Sequence, residues 1–152
     1  SAENVALLSD ALDKLLPARN IPLFLIGYSG GGVMAMLLAT VRDDIAGVVT
    51  IAANLDTDLW IELQAVSPLA GSLNPRERAE SLGALPQVHF FGGVDTVVTP
   101  EVVMSFIHAL PAGAPYRLEP VAGFGHDCCW ERGWEERVTP ALRFLRAAGA
   151  EP

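Results

Sequence analysis

Cysteine is nearly absent from this sequence: there are two among 152 residues, and they are neighbours at 128 and 129. A framework of long-range disulfides is therefore excluded, and cysteine usage assigns no redox compartment. Positive charge is also scarce. Ten Lys and Arg stand against eighteen Asp and Glu, a net charge of −8. That balance argues against nucleic acid and anionic membrane surfaces as partners. No apolar run approaches the ~18 residues of a membrane span, the longest being 33–41 and 45–53. No Lys follows the glycines at 30–32, so a phosphate loop is excluded. Single loop histidines and two adjacent cysteines do not make a zinc site. The chain opens at Ser1 with neither Met nor a signal-peptide pattern, so Ser1 is expected to follow a processing or truncation point.

Apolar residues, by contrast, make up 51% of the chain. That share fits a sheet covered by helices on both faces, whose strands are buried on both sides. The length suits one domain, 1–152. Val5, Leu8, Leu12 and Leu15 recur at helical spacing and predict an amphipathic helix over 3–16. A turn is expected at 17–20. Residues 21–28 read as a buried parallel strand, and 30–41 as an apolar helix. Further strands are expected at 45–53, 87–91 and 116–121, and helices at 100–110 and 130–148. Gly133 and Pro140 suggest an interruption in the last helix. Residues 55–85 lack a clean period and predict a lid-like excursion with one or two short helices. Strands alternating with helices imply βαβ units and a mostly parallel sheet.

Gly27-Tyr28-Ser29-Gly30-Gly31 matches G-x-S-x-G and sits where an apolar strand turns into a helix. Such a turn leaves the serine hydroxyl exposed on a strained backbone, and the glycines at −2 and +2 keep side chains out of the strand–helix crossing. The helix N-terminus behind Ser29 favours negative charge developing there. A serine needs a base, and the base an orienting acid. His89 falls inside a strand and His108 late in a helix, both packing or surface positions. His126, in Gly123-Phe124-Gly125-His126, follows the fourth strand in a loop two glycines allow to bend. Asp95, in Gly92-Gly93-Val94-Asp95, follows the third. The C-terminal ends of parallel strands are where sites of open sheets gather. The order Ser, Asp, His is that of the α/β hydrolases. Asp127 reads as a loop charge, and Asp56 or Asp58, after the second strand, is the alternative acid.

These three motifs resemble the α/β-hydrolase family of esterases and lipases. The stretches Asn54-Leu55-Asp56 through Trp60, Val66-Ser67-Pro68-Leu69 and His126-Asp127-Cys128-Cys129-Trp130 also resemble bacterial hydrolases, some exported or lipid-anchored. The resemblance implies an α/β-hydrolase fold, with Ser29 as nucleophile, His126 as base, Asp95 as orienting acid and the Gly30 N–H as one oxyanion donor. It implies a small ester-like substrate, an acyl-enzyme, and no metal or organic cofactor. Tyr28, Leu55 and Trp60 are candidate substrate-binding residues, with Leu63 and Leu69 as further apolar lining; packing in the core is the competing expectation. Family members usually carry an eight-stranded sheet with the elbow after the fifth strand. Here one helix precedes the elbow strand, so the sequence looks like the C-terminal half. A missing N-terminal half, or self-association through the 21–28 strand edge, is the expected partner.

Two other readings compete. Gly30-Gly31-Gly32-Val33-Met34-Ala35 fits a dinucleotide fingerprint, with Asp56 as a poorly spaced acid, but leaves Asp95 and His126 unexplained. A non-catalytic hydrolase-like scaffold is the other, since fold does not imply function. For Cys128 and Cys129, a bridge between neighbours and a pair of packed thiols are both expected outcomes.

Overall fold

A computed structural model describes residues 1–16, 21–68 and 70–149. The turn expected at 17–20 and the lining assigned to Leu69 lie outside the described residues. The elements are α1 (Ala2–Leu15), β1 (Leu23–Tyr28), α2 (Gly30–Ala39), β2 (Ile45–Ile51), α3 (Thr57–Gln64), β3 (Gln87–Gly92), α4 (Pro100–Ala109), β4 (Tyr116–Val121) and α5 (Trp134–Ala148). A 3₁₀ turn, Pro75–Arg78, lies between α3 and β3. The four strands are all parallel and lie in the order β1-β2-β3-β4.

Side chains on successive strand residues point to opposite faces, and both faces here are apolar. Val48 and Phe91 pack with Met36 of α2 and Phe106 of α4 on one side. Val49, Ile51, Val88 and Phe90 pack with Ala141 and Leu145 of α5 on the other. Met36, Phe106 and Leu145 are completely buried, each contributing about 1.5–3 kcal/mol by leaving water. The central strands β2 and β3 are buried almost throughout, as two-sided strands should be.

The edge strands are not. Among the described residues β1 pairs only with β2, and Ile26 and Tyr28 are 47% and 41% exposed. The β1 ladder starts at Leu23, whose N–H meets the Asp44 carbonyl at 2.8 Å. Ile21 and Pro22 precede it, since proline has no N–H for a ladder. The last helix starts at Trp134 rather than at 130, because Gly133 takes a left-handed conformation (φ 61°) at its N-cap. Pro140 does not interrupt it. The proline faces solvent, while Ala141 and Leu145 hold the helix to the sheet.

One polar chain crosses the core. The Gln87 amide donates to the Leu82 carbonyl at 2.8 Å, which turns its oxygen toward His89 Nε2 at 3.2 Å. Nε2 must therefore carry the ring proton, and Nδ1 accepts from the Thr50 hydroxyl at 2.8 Å. His89 is completely buried, and burial pushes its pKa down to about 3. The folded chain thus keeps His89 neutral where the unfolded chain, near pKa 6.5, takes up a proton. The stabilisation is complete above about pH 6.5 and is lost as the pH falls from there toward 3, at about 1.4 kcal/mol per pH unit. Between pH 7.5 and 5 the wild type is expected to lose about 2 kcal/mol more than His89→Gln. Urea unfolding at both pH values measures it; parallel losses in the two proteins would show that His89 stays protonatable in the fold.

Candidate active site

Parallel strands deliver their C-terminal ends to one edge of the sheet. Ser29 follows β1, Asp95 follows β3 and His126 follows β4, so three residues far apart in sequence meet there. Ser29 Oγ lies 3.0 Å from His126 Nε2, and His126 Nδ1 lies 3.0 Å from Asp95 Oδ2. The side chain of Asp95 is fully buried and that of His126 is 12% exposed.

The turn at Ser29 is sharp. Its backbone sits at φ 50°, ψ −123°, a region that residues other than glycine rarely occupy and that costs of order 1–3 kcal/mol. Its N–H still completes the sheet ladder to the Ile51 carbonyl at 2.8 Å, while its carbonyl accepts from the Gly32 N–H at 2.9 Å. The residue is thus ladder end and helix cap at once. Its side chain makes no capping bond, which leaves the hydroxyl to His126. A Cβ on Gly27 would lie 2.3 Å from the Gly31 carbonyl oxygen, so this crossing tolerates only glycine. On the helix side the tight position is Gly32, whose Cβ would lie 2.5 Å from that of Ala53. Gly31, expected from the motif to be the tight one, has open space at its Cβ. Its backbone, not its side-chain direction, faces Gly27. Gly30 opens α2, where the first N–H groups of a helix have no intrahelical partner.

Asp95 sets the histidine's tautomer. One carboxylate oxygen accepts the N–H groups of Val97 and Val98, both at 2.8 Å. The other faces His126 Nδ1 and can only accept, so Nδ1 holds the ring proton. The Nε2 lone pair then points at the Ser29 hydroxyl. This arrangement can take a proton from Ser29 and return it to a leaving group.

The other candidate carboxylates are occupied elsewhere. Asp56 caps α3 through the Leu59 N–H at 3.2 Å, and accepts from Asn74 Nδ2 at 3.0 Å and from the Ser105 hydroxyl at 2.5 Å. Arg76 lies 3.4 Å away. Burial pushes this carboxyl up, but those hydrogen bonds and Arg76 outweigh it and hold its pKa below the ordinary value. Asp56 thereby fastens the 55–85 excursion to α4, and Asp58 accepts from Asn74 at 3.1 Å. His126 meets neither of them, its partner being Asp95.

The residues expected to line a substrate pocket divide. Leu55 is fully buried in the main core, so its packing role displaces the pocket role. Trp60 lies partly exposed on α3 and donates its indole N–H to the Val97 carbonyl at 2.8 Å; Gln64 donates to the Thr96 carbonyl at 2.9 Å. The excursion thus braces the loop that carries Asp95. Leu63 is 48% exposed. Tyr28 donates to the His126 carbonyl at 2.9 Å and lies 3.2 Å from Asp127 Oδ1. Trp130 donates to the same carbonyl at 2.9 Å. The Tyr28 contact escapes sequence reasoning, because Tyr28 and His126 are 98 residues apart, whereas Trp130 reaches back only four residues. Between the two anchors the sulfurs of Cys128 and Cys129 are bonded to each other.

No family model and no curated protein matches the sequence. Solved structures do. The chain aligns over 99% of its length with 73% of the α/β hydrolase GrgF from Penicillium sp. sh18, at 14% identity and a TM-score of 0.75. It aligns over 95% with 75% of the Paleococcus ferrophilus monoacylglycerol lipase, at 16% identity and a TM-score of 0.65. It aligns over 94% with 68% of MGS-MChE2, an α/β hydrolase from the metagenome of sediments from the lagoon of Mar Chica, Morocco, at 20% identity and a TM-score of 0.68. The chain has a partial α/β-hydrolase fold. Among the described residues no helix is long and apolar enough to cross a membrane.

Proposed function

We propose that this chain carries the active site of a serine hydrolase acting on a small ester-like substrate. The unbroken hydrogen-bond chain from Ser29 through His126 to Asp95 supports that reading, with both links at 3.0 Å. In the proposed reaction Ser29 Oγ attacks the carbonyl carbon and gives its proton to His126 Nε2. The tetrahedral oxyanion accepts the Gly30 N–H. His126 then protonates the departing alkoxide, leaving an acyl-serine. Water, deprotonated by His126, releases the acid and restores Ser29. Asp95 holds the imidazole and stabilises its charged form. The 55–85 excursion would border the substrate through Trp60 and Leu63. The solved neighbours include a named lipase, which favours ester chemistry over other acyl transfers.

The β1 edge bears on whether 152 residues suffice. A groove of about 360 Å³ beside it is lined by Leu8, Leu12, Ile26, Met34 and Leu38. A further strand, from a longer hydrolase chain or a second copy, would cover this apolar edge, which otherwise invites aggregation. Such a segment is also the natural source of a second oxyanion donor, and lacking one donor typically costs ~10²–10³ in turnover. The test is to treat residues 1–152 with a fluorophosphonate probe, map the adduct by mass spectrometry, and measure size by light scattering. A slow adduct on Ser29 of a self-associating chain is expected. An adduct elsewhere, or none on Ser29 in a longer chain containing the further strand, would overturn the reading. A monodisperse monomer with ordinary esterase rates would show that the edge needs no partner.

A further inference from the structure

We propose that Tyr28 and Trp130 are positioning residues that together clamp the backbone carbonyl of His126 and so hold the imidazole between Ser29 and Asp95. The inference rests on the reading of Ser29 and His126 as nucleophile and base. A carbonyl oxygen has two lone pairs, and two donors meet this one: the Trp130 indole N–H at 2.9 Å, and the Tyr28 hydroxyl at 2.9 Å, whose single proton is shared with Asp127 Oδ1 at 3.2 Å.

One donor comes from across the sheet end and the other from the His126 loop itself. Tyr28 is the last residue of β1 and the immediate neighbour of Ser29, so its hydroxyl ties the elbow directly to the loop carrying the base. Its ring lies 5.3 Å from the His126 ring, centroid to centroid. Burial first, then the hydrogen bond to Asp127 and the nearby carboxylate charges, raise its pKa. The phenol therefore stays protonated, as a donor must. Trp130 approaches from the α5 side. Its ring meets the edge of Phe124 at 5.2 Å, and the Arg137 guanidinium covers Phe124 at 5.0 Å. Phe124 is itself pinned, its carbonyl accepting the Val94 N–H at 3.1 Å beside Asp95.

The loop is thus held on both sides of His126, at Phe124 and at the His126 carbonyl. Both of the imidazole's own hydrogen bonds are 3.0 Å, a spacing with little slack. A misplacement of about 1 Å at such a centre can cost ~10²-fold in rate. Tyr28 would then act through His126 rather than by touching substrate, since its hydroxyl is already engaged.

The experiment compares wild type, Tyr28→Phe, Trp130→Phe and the double variant in the full chain. Tyr28→Phe removes one oxygen and Trp130→Phe one donor, so two independent lesions probe one carbonyl. The readouts are the rate of Ser29 labelling by the fluorophosphonate probe, the downfield proton resonance of His126 Nδ1–H, and Tm. Each single variant is expected to label ~10-fold more slowly and the double ~10²-fold, with the Nδ1–H resonance broadened or lost and Tm within a few degrees. Unchanged labelling and an unchanged resonance in the double variant would overturn the clamp. The resonance is read whether or not the chain labels. If wild type fails to label but its Nδ1–H signal disappears in the variants, the clamp stands and the hydrolase reading fails.

Discussion

Ser29→Ala is expected to remove essentially all hydrolysis of short p-nitrophenyl esters, and His126→Ala nearly all of it. Losing the serine or histidine of such a unit typically lowers turnover by about 10⁶-fold, to the residue of catalysis left by binding and oxyanion stabilisation. The two losses should not add. With the histidine gone the serine keeps its proton, and with the serine gone the histidine has nothing to activate. Neither substitution should weaken the fold much. The Ser29 side chain makes no capping bond, and alanine keeps a Cβ in a backbone conformation already strained. The assay belongs in a chain whose β1 edge is covered, with initial rates taken beside a melting curve. Near-full activity in a folded Ser29→Ala protein would end the serine-hydrolase reading.

Asp95→Asn is expected to lower turnover by about 10⁴-fold while the chain stays folded. The direction follows from what holds the carboxylate. The N–H groups of Val97 and Val98 both donate to one of its oxygens. In asparagine they would keep the amide oxygen in that place, which turns the NH₂ group toward His126 Nδ1. A donor facing Nδ1 requires that nitrogen to be bare, so the ring proton moves to Nε2. Nε2 can then no longer accept the Ser29 proton. Asp56→Asn should behave differently. It disturbs the cap of α3 and the tie to Ser105 and Asn74. It is therefore expected to lower Tm, with the rate of the folded protein within a few fold of wild type. Measuring both variants in one esterase assay with thermal melts separates the cases. A silent Asp95→Asn beside a crippled Asp56→Asn would mean that the other carboxylate serves His126.

Much of this was legible in local pattern, because the signals are short-ranged. Continuous apolar runs marked β1 and β2, since a strand covered on both faces has little polar side to show, whereas β4 carries Arg117 and Glu119 and was read from its place between helices. The glycine-rich step from β1 to α2 marked the elbow, since the crossing at Gly27 leaves no room for a Cβ. Local pattern failed where tertiary neighbours decide. Residues 21–28 have the composition of a central strand, and it was the order of the elements, not that composition, that gave the edge found among the described residues. Pro140 looked like a break, but one missing N–H on the solvent side cannot outweigh Ala141 and Leu145 in the core. For Leu55 the pattern left pocket lining and core both open, since both roles ask only for an apolar side chain, and packing puts it in the core.

By itself the sequence determined the alternation of strands and helices, the strained serine turn, and the three residues placed just after strands, because each depends on bonds and contacts within a few residues. Tertiary structure alone decided which carboxylate meets His126. Asp56 and Asp95 both follow strands, and only the packing of α3 against α4 draws Asp56 to Ser105 and Asn74 while the loop after β3 turns Asp95 inward. Tertiary structure likewise brought the Tyr28 hydroxyl, 98 residues away, to the carbonyl of His126. Hydrogen bonds are satisfied by proximity in space, and no spacing along the chain encodes a contact made across the ends of a sheet.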